Sequence, residues 1–495
     1  MEFKMMPQPE ERKGHTYMQW IVAIIANSSL LTYGLQAGWI SPMTKVLQSN
    51  ASPAGPLSDY TMGIVASLMP ISALIGIPMY AYIADKYGRK TGIMCITVPH
   101  AISWLLKLCC PTHITLIIAR VCSGIAAGGC FNVIPMYTKE ISQDNIRGLL
   151  GSLLIYFHNL GIFLMYVLGA YLDYYTVLYI VVGGPFLSCF LIMMCPESPG
   201  FLVKIGKFDE AVKVISSLRG LNLNDSSVQK ELDLMRKEDE YYKTLPSMSM
   251  MFISKLLYSL IFIVLREGLT QAFCGNFAVV TYGSTILEAA GVTLDAELLS
   301  ISFPTIMMVG STASIIVMER IGRRVILGSS FTVTVCSQVC LATVLLLQHF
   351  GFSLPAWVTL LAIIAAMFVY AFGVLPVPYI FMTEIFNIQI RGKLISMITA
   401  QSWVMNFIQL AAFAPLSNAC GMYTTFYIFA AVNLFGAALV LVSVPETRGK
   451  SGEEIEQILN KYNPSSNNAT GPILFTDIYF TAVLVGGCSN SRNLH

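Results

Sequence analysis

The sequence predicts an all-α membrane protein of twelve transmembrane helices in two six-helix halves. Three observations predict it. Composition comes first: 55% of the residues are hydrophobic and 12% charged, with a mean hydropathy of +0.65. A soluble chain carries about 25% charge. The second is a duplication of three acid-plus-base motifs, in one order. Asp85-Lys86-Tyr87-Gly88-Arg89-Lys90 returns as Glu319-Arg320-Ile321-Gly322-Arg323-Arg324, Glu140 with Arg147-Gly148 returns as Glu384 with Arg391-Gly392, and Pro196-Glu197-Ser198-Pro199-Gly200 returns as Pro445-Glu446-Thr447-Arg448-Gly449. Duplicated apolar halves are a common construction of secondary transporters. The third is the placement of cations. Of 30 Lys and Arg, Lys45 and Lys107 fall in expected outer loops and Arg120 and Arg266 inside spans. All the others fall on one side if both termini are cytoplasmic.

The elements follow in order. Residues 1–16 are polar, contain Pro7 and Pro9, and lack the apolar core of a signal peptide. They read as a cytoplasmic arm. A span needs about 20 apolar residues. The first half, 17–195, offers six, near 17–40, 61–84, 91–110, 114–136, 150–172 and 176–195. Residues 196–256 form a cytoplasmic linker in which Phe208 to Leu218 and Val228 to Tyr242 read as surface helices. The second half, 257–444, offers six more spans, near 257–287, 298–318, 325–348, 357–382, 394–414 and 422–444. The tail, 445–495, is cytoplasmic in this topology; its apolar end, 473–488, is too short to span comfortably. Gly34, Gly38, Gly124, Gly128 and Gly129 allow close helix approach, and Pro70, Pro376 and Pro378 allow bends.

This topology puts all three motif pairs at the inner ends of spans. There Asp85, Arg89, Glu140, Arg147, Glu197, Glu319, Arg323, Glu384, Arg391 and Glu446 are candidates for gating salt bridges that hold the inner mouth shut across the halves. Arg suits such pairs because its fork binds carboxylates in fixed geometry. An exposed pair contributes about 0–1 kcal/mol, so several weak pairs bias two states without trapping either. The plainer alternative is that these charges only orient the chain in the bilayer.

With these motifs, and with Pro135-Met136-Tyr137 and Pro376-Val377-Pro378-Tyr379, the chain resembles the sugar porter family of the major facilitator superfamily over roughly residues 17–460. Within that family it is most similar to insect facilitated trehalose or glucose transporters. The resemblance implies the major facilitator fold and alternating access. It also implies sugar contacts at Gln271 and Asn276 of span seven, in Thr270-Gln271-Ala272-Phe273-Cys274-Gly275-Asn276, at Trp403 and Asn406 of span eleven, and at Tyr379. Gln36 and Asn159 complete the candidate set. Amides suit a sugar because they donate and accept together. Each amide taken alone could equally join two helices. His158 reads as a satisfied interior histidine. The chain departs from the family pattern at Ala81, Glu319 and Gly200, and apolar Ile155, Met307 and Ala371 stand where polar contacts are usual.

Proton-coupled relatives carry an Asp in span one, near an Arg that Arg120 matches; here Gln36 stands in its place. A Gln cannot exchange a proton. The expected function is therefore facilitative uniport of trehalose or a hexose such as glucose. The alternatives are a proton-coupled symporter, with Glu267 as the carboxylate, or a non-transporting sugar sensor. No nucleophile constellation, metal cluster or phosphate loop suggests an enzyme, and the 12 cysteines show no metal-ligand spacing. No cofactor is expected. The expected partners are a small sugar and the lipid bilayer, with no nucleic acid and no obligate protein. The expected location is the cell membrane. Asn50, in Asn50-Ala51-Ser52 of the first outer loop, is a candidate glycosylation site.

Overall fold

The computed structural model describes residues 14–143, 146–244, 274–290, 296–352, 354–378 and 388–443. Among the described residues every regular element is helical. In the first half, α1 (Tyr17–Gly38) runs almost unbroken into α2 (Ile40–Gln48), followed by α3 (Asp59–Tyr87), α4 (Arg89–Cys109), α5 (His113–Ile141) and α6 (Arg147–Tyr171). The sixth span is α7 (Tyr174–Val181) with α8 (Gly183–Met194). The linker contributes α9 (Pro199–Lys204), α10 (Phe208–Arg219) and α11 (Ser226–Thr244). The second half contributes α12 (Asn276–Ala289), α13 (Ala296–Ser300), α14 (Ser302–Ile321), α15 (Arg323–His349), α16 (Ala356–Val369), α17 (Ile388–Cys420) and α18 (Met422–Ser443). Nine helices among the described residues are long and apolar enough to cross a membrane. Helices α12, α17 and α18 occupy the other three expected spans.

Local sequence explains the helix ends. Ser58 caps α3 by accepting the Thr61 amide at 3.2 Å. Thr112 and Thr115 form a reciprocal capping box at the start of α5. The duplicated Gly-Arg step has one backbone geometry in both halves. Gly88 (φ 110°) precedes α4, and Gly322 (φ 107°) precedes α15. That φ is strained for any residue with a Cβ, so the motif keeps glycine at this corner. The arginines that follow, Arg89 and Arg323, are both buried.

Small residues set the tightest contacts. A Cβ at Gly128 of α5 would overlap the Ala73 carbonyl of α3. Helices that approach this closely without side chains between them gain packing that lipid cannot replace.

The linker is docked on the first half. Leu202, Val203, Ala211, Ile215, Val228 and Leu232 make its own small core. Arg219, 2% exposed, pairs with Glu231 at 2.6 Å and donates to the Ile141 carbonyl at 2.8 Å. Gln19 of α1 donates to the Leu218 carbonyl at 3.2 Å.

One expectation is corrected here. Lys107 lies in the last turn of α4, not in an outer loop, and is 0% exposed. The apolar spacing of 91–110 already reached it, and two tryptophans cover its stem and ammonium. The apolar end at 473–488 lies outside the described residues.

Candidate functional site

Two stretches of the second half depart from regular α-helix. Cys274 and Gly275 are non-helical, Gly275 has a left-handed backbone (φ 77°), and α12 starts at Asn276. After α16 the chain widens into a π-helical turn, Tyr370–Val374, closed by Leu375 N–H donating to the Tyr370 carbonyl at 2.9 Å. Interrupted helices and π-turns expose backbone and polar groups, and they recur where membrane carriers hold substrate.

Rings from four helices and both halves converge on one another. Tyr33 of α1 stacks on His158 of α6, with centroids 5.0 Å apart. Phe131 of α5 meets Tyr33 edge-on at 5.4 Å and His158 at 5.9 Å. Trp403 of α17 closes the group at 6.2 Å from Tyr33 and 6.0 Å from Phe131. Flat rings of this kind suit the C–H faces of a sugar, and their edges leave gaps for hydroxyls.

Buried polar atoms without hydrogen bonds of good geometry occur on α6 and α12. Asn276 is buried, and neither amide atom makes a hydrogen bond. Asn159 donates to the Ser311 hydroxyl across the halves at 3.2 Å, and its carbonyl oxygen has no partner. His158 is buried, and no hydrogen bond of good geometry reaches either ring nitrogen. Buried polar atoms left unpaired cost about 1–3 kcal/mol each. A hydroxyl-rich ligand would relieve that cost.

The other sequence-predicted contacts fall as follows. Trp403 is buried and Asn406 half-buried on the same helix. Gln271 and Tyr379 lie outside the described residues. Gln36 is fully buried, and its amide oxygen accepts from Lys107 Nζ at 2.6 Å and from Ser103 at 3.2 Å. Arg120 donates to the Gln36 carbonyl at 2.8 Å and to the Val65 carbonyl at 3.0 Å. Among the described residues no carboxylate lies within 4.0 Å of Arg120 or Lys107. Sequence reasoning missed Tyr33, Phe131 and the environment of Lys107.

The first copies of the three motifs meet at one end of the first half. Arg89 Nε reaches both Glu140 oxygens at 3.1 Å, and its Nη1 donates to Asp85 at 3.3 Å and to the Ala84 carbonyl at 2.9 Å. Ser198 donates to Glu140. Glu197 accepts from the Lys90 and Ser198 amides at 3.1 and 2.8 Å, and Lys204 reaches Asp85 at 3.1 Å. These pairs join α3, α4, α5 and α9, all on the first-half side. Arg147 donates to the Ser142 carbonyl at 3.4 Å. Glu384 and Glu446, and the side chains of Glu319 and Arg391, lie outside the described set. We expect Glu140→Gln to weaken the cluster by about 1–3 kcal/mol, because it removes the charge facing a buried guanidinium. Thermal unfolding in detergent measures the loss.

At the opposite end of the bundle the halves are joined directly. Ser284 donates to Ser41 through its amide (3.3 Å) and its hydroxyl (3.1 Å). Tyr166 donates to the Val280 carbonyl at 2.5 Å. Lys45 pairs with Glu288 at 2.7 Å. Asn50 sits exposed in the turn after α2.

The chain is similar to known proteins along most of its length. The family described as "Sugar (and other) transporter" matches residues 21–459. A facilitated trehalose transporter, Tret1, of Aedes aegypti is 29% identical over 446 residues, covering 89% of this chain and 55% of that protein. The Tret1 of Bombyx mori is 29% identical over 446 residues, covering 90% of this chain and 87% of that protein. The chain thus spans little more than half the length of the Aedes relative. Among solved structures, the partially occluded inward open conformation of the xylose transporter XylE from E. coli superposes with a TM-score of 0.74 at 19% identity, covering 88% of this chain and 100% of that one. The proton:xylose symporter XylE bound to 6-bromo-6-deoxy-D-glucose superposes with a TM-score of 0.71 at 20% identity, covering 89% and 99%.

Proposed function

Because the chain belongs to the sugar transporter family and has the twelve-helix major facilitator fold, we propose that it is a facilitative sugar carrier. It works by alternating access as a uniporter, on trehalose or a hexose such as glucose. The observation that carries this reading is the ring cluster between the two halves. Rings from both halves stand beside buried Asn and His atoms without partners. The trehalose relatives support the disaccharide end of that range.

Uniport is supported by the site around Arg120. The neutral amide of Gln36 lies there, and no described carboxylate is near enough to exchange a proton with the arginine. Gln271, Asn276, Tyr379, Trp403, Asn406 and Asn159 are the proposed sugar contacts, and His158 joins them. The inner charge cluster is the proposed element that stiffens the first half against the second. The outer bonds Ser41–Ser284, Tyr166–Val280 and Lys45–Glu288 are the proposed outer gate. The proposed location is the cell membrane, with both termini cytoplasmic and Asn50 glycosylated on the outside.

Purified full-length chain in liposomes tests the reading with a panel of labelled trehalose, glucose, fructose and xylose. Uptake should equilibrate without exceeding the outside concentration, carry no proton current and resist a protonophore. Accumulation that collapses with the protonophore would show a symporter. Absence of flux for every sugar would defeat the proposal.

A further inference from the structure

The bend that precedes α12 is gripped by side chains of α15 and α18. Gly275 takes a left-handed backbone there (φ 77°), and the next residue, Asn276, opens α12. The Cys274 carbonyl accepts a hydrogen bond from Gln338 Nε2 of α15. Gln338 Oε1 in turn accepts from Asn433 Nδ2 of α18 at 2.8 Å. The same Nδ2 donates to the Phe429 carbonyl, four residues earlier on its own helix, at 2.8 Å. Cys274, Asn276, Gln338 and Asn433 are all buried, none more than 3% exposed.

The order of these bonds fixes each amide. An amide donates only through its nitrogen and accepts only through its oxygen. Asn433 directs its nitrogen at two carbonyl oxygens, one on its own helix and one on Gln338. That holds Gln338 with its oxygen toward Asn433 and its nitrogen toward the bend. The bend fits closely against both helices. A Cβ on Gly275 would stand 2.8 Å from Gln338 Nε2 and 2.7 Å from the Phe429 ring. The chain of bonds runs from Phe429 through Asn433 and Gln338 to Cys274. It stops one residue short of Asn276, whose amide makes no hydrogen bond of good geometry. Amide bonds between helices in lipid are individually modest. Two in series suit the choice of one backbone geometry at a bend better than the support of a whole bundle.

We propose that Gln338 and Asn433 are positioning residues for sugar binding. They hold the Cys274–Gly275 bend so that the Asn276 amide is presented to the ligand. Gln338 acts on the backbone directly, and Asn433 acts through Gln338. Loss of Gln338 takes a donor from the Cys274 carbonyl, whereas loss of Asn433 only frees Gln338 to turn. The positioning role rests on the carrier reading above, with Asn276 as a sugar contact.

The test is a double-variant cycle on the full-length chain, with labelled trehalose and glucose as probes. Uptake is measured in liposomes and equilibrium binding in detergent. Gln338→Leu, similar in size but unable to donate, should raise KM about tenfold, the weight of one buried hydrogen bond. Its kcat should stay within about twofold of wild type, since the lost interaction is one of binding. Asn433→Leu should raise KM less, about threefold, because the Cys274 donor is still present. Asn276→Ala should raise KM on its own, and adding Gln338→Leu should raise it no further. A general loosening of the bundle would instead multiply the two effects. Multiplied effects overturn the proposal. So does a wild-type KM in Gln338→Leu, Asn433→Leu or Asn276→Ala, or a loss confined to kcat. If Gln338→Leu does not fold, Asn433→Leu takes its place in the cycle under the same criteria. Failure of both to fold overturns the positioning role and makes the network part of the architecture. Wild type that binds sugar and carries none defeats the carrier reading, and dissociation constants then decide the positioning role through the same cycle. Wild type that carries sugar while both leucine variants keep its KM defeats the positioning role alone. Wild type that neither binds nor carries defeats both.

Discussion

Gly128→Val is expected to abolish accumulation of folded protein. The α3–α5 contact at this point is backbone against backbone, and even one methyl group at Gly128 would overlap the Ala73 carbonyl. No rotamer of valine escapes, because the clash begins at Cβ. Overpacking a core costs about 1–3 kcal/mol when side chains can shift. Here the obstacle is a helix backbone, so the helices must separate. The same separation would open the neighbouring approaches at Gly76 and Gly124, which also meet the facing backbone. The cost then spreads along the interface and exceeds that range. The measurement is the monodisperse fraction on size-exclusion chromatography in mild detergent, with Gly148→Val as the control. Gly148 has open space around its Cβ position and should give normal yield.

Trp403→Ala is expected to remove sugar uptake almost entirely while Trp403→Phe keeps part of it. Trp403 is the second half's member of the ring cluster, against Tyr33 and Phe131 of the first. Losing a large aromatic contact on a ligand costs about 2–3 kcal/mol, a factor of roughly 30–150 in affinity. The loss should appear in KM and in the rate, because the indole also joins the halves when the chamber is occluded. Surface yield separates this from a folding defect. If Trp403→Ala is present at normal yield and transports normally, the chamber lies elsewhere.

Much of the architecture was legible because its signals are periodic or repeated. Twelve apolar runs gave the spans, and the repeated Gly-Arg step marked the same corner twice, at Gly88 and Gly322. The inner motifs, read separately along the chain, meet around Arg89 and Glu140. The chamber was less legible. Asn159, Asn276 and Trp403 stood out as polar or aromatic residues in apolar helices. The partners of Trp403 did not, because Tyr33 and Phe131 are ordinary span residues until three helices bring their rings together. Lys107 was hidden for a related reason. A lysine a few residues from a loop reads as solvated, and only the fold brings the indoles of Trp39, at the α1–α2 junction, and Trp104, on α4, against it. The linker helices, in contrast, were plain from apolar spacing at Phe208 to Leu218.

The docking of that linker decides what moves with what. Arg219, Gln19 and Ile141 bolt α10 to the first bundle, so α9–α11 travel as cargo of that bundle during each swing. A fluorophore in the short Leu221–Asp225 connection would therefore track the first bundle's motion as a rigid marker.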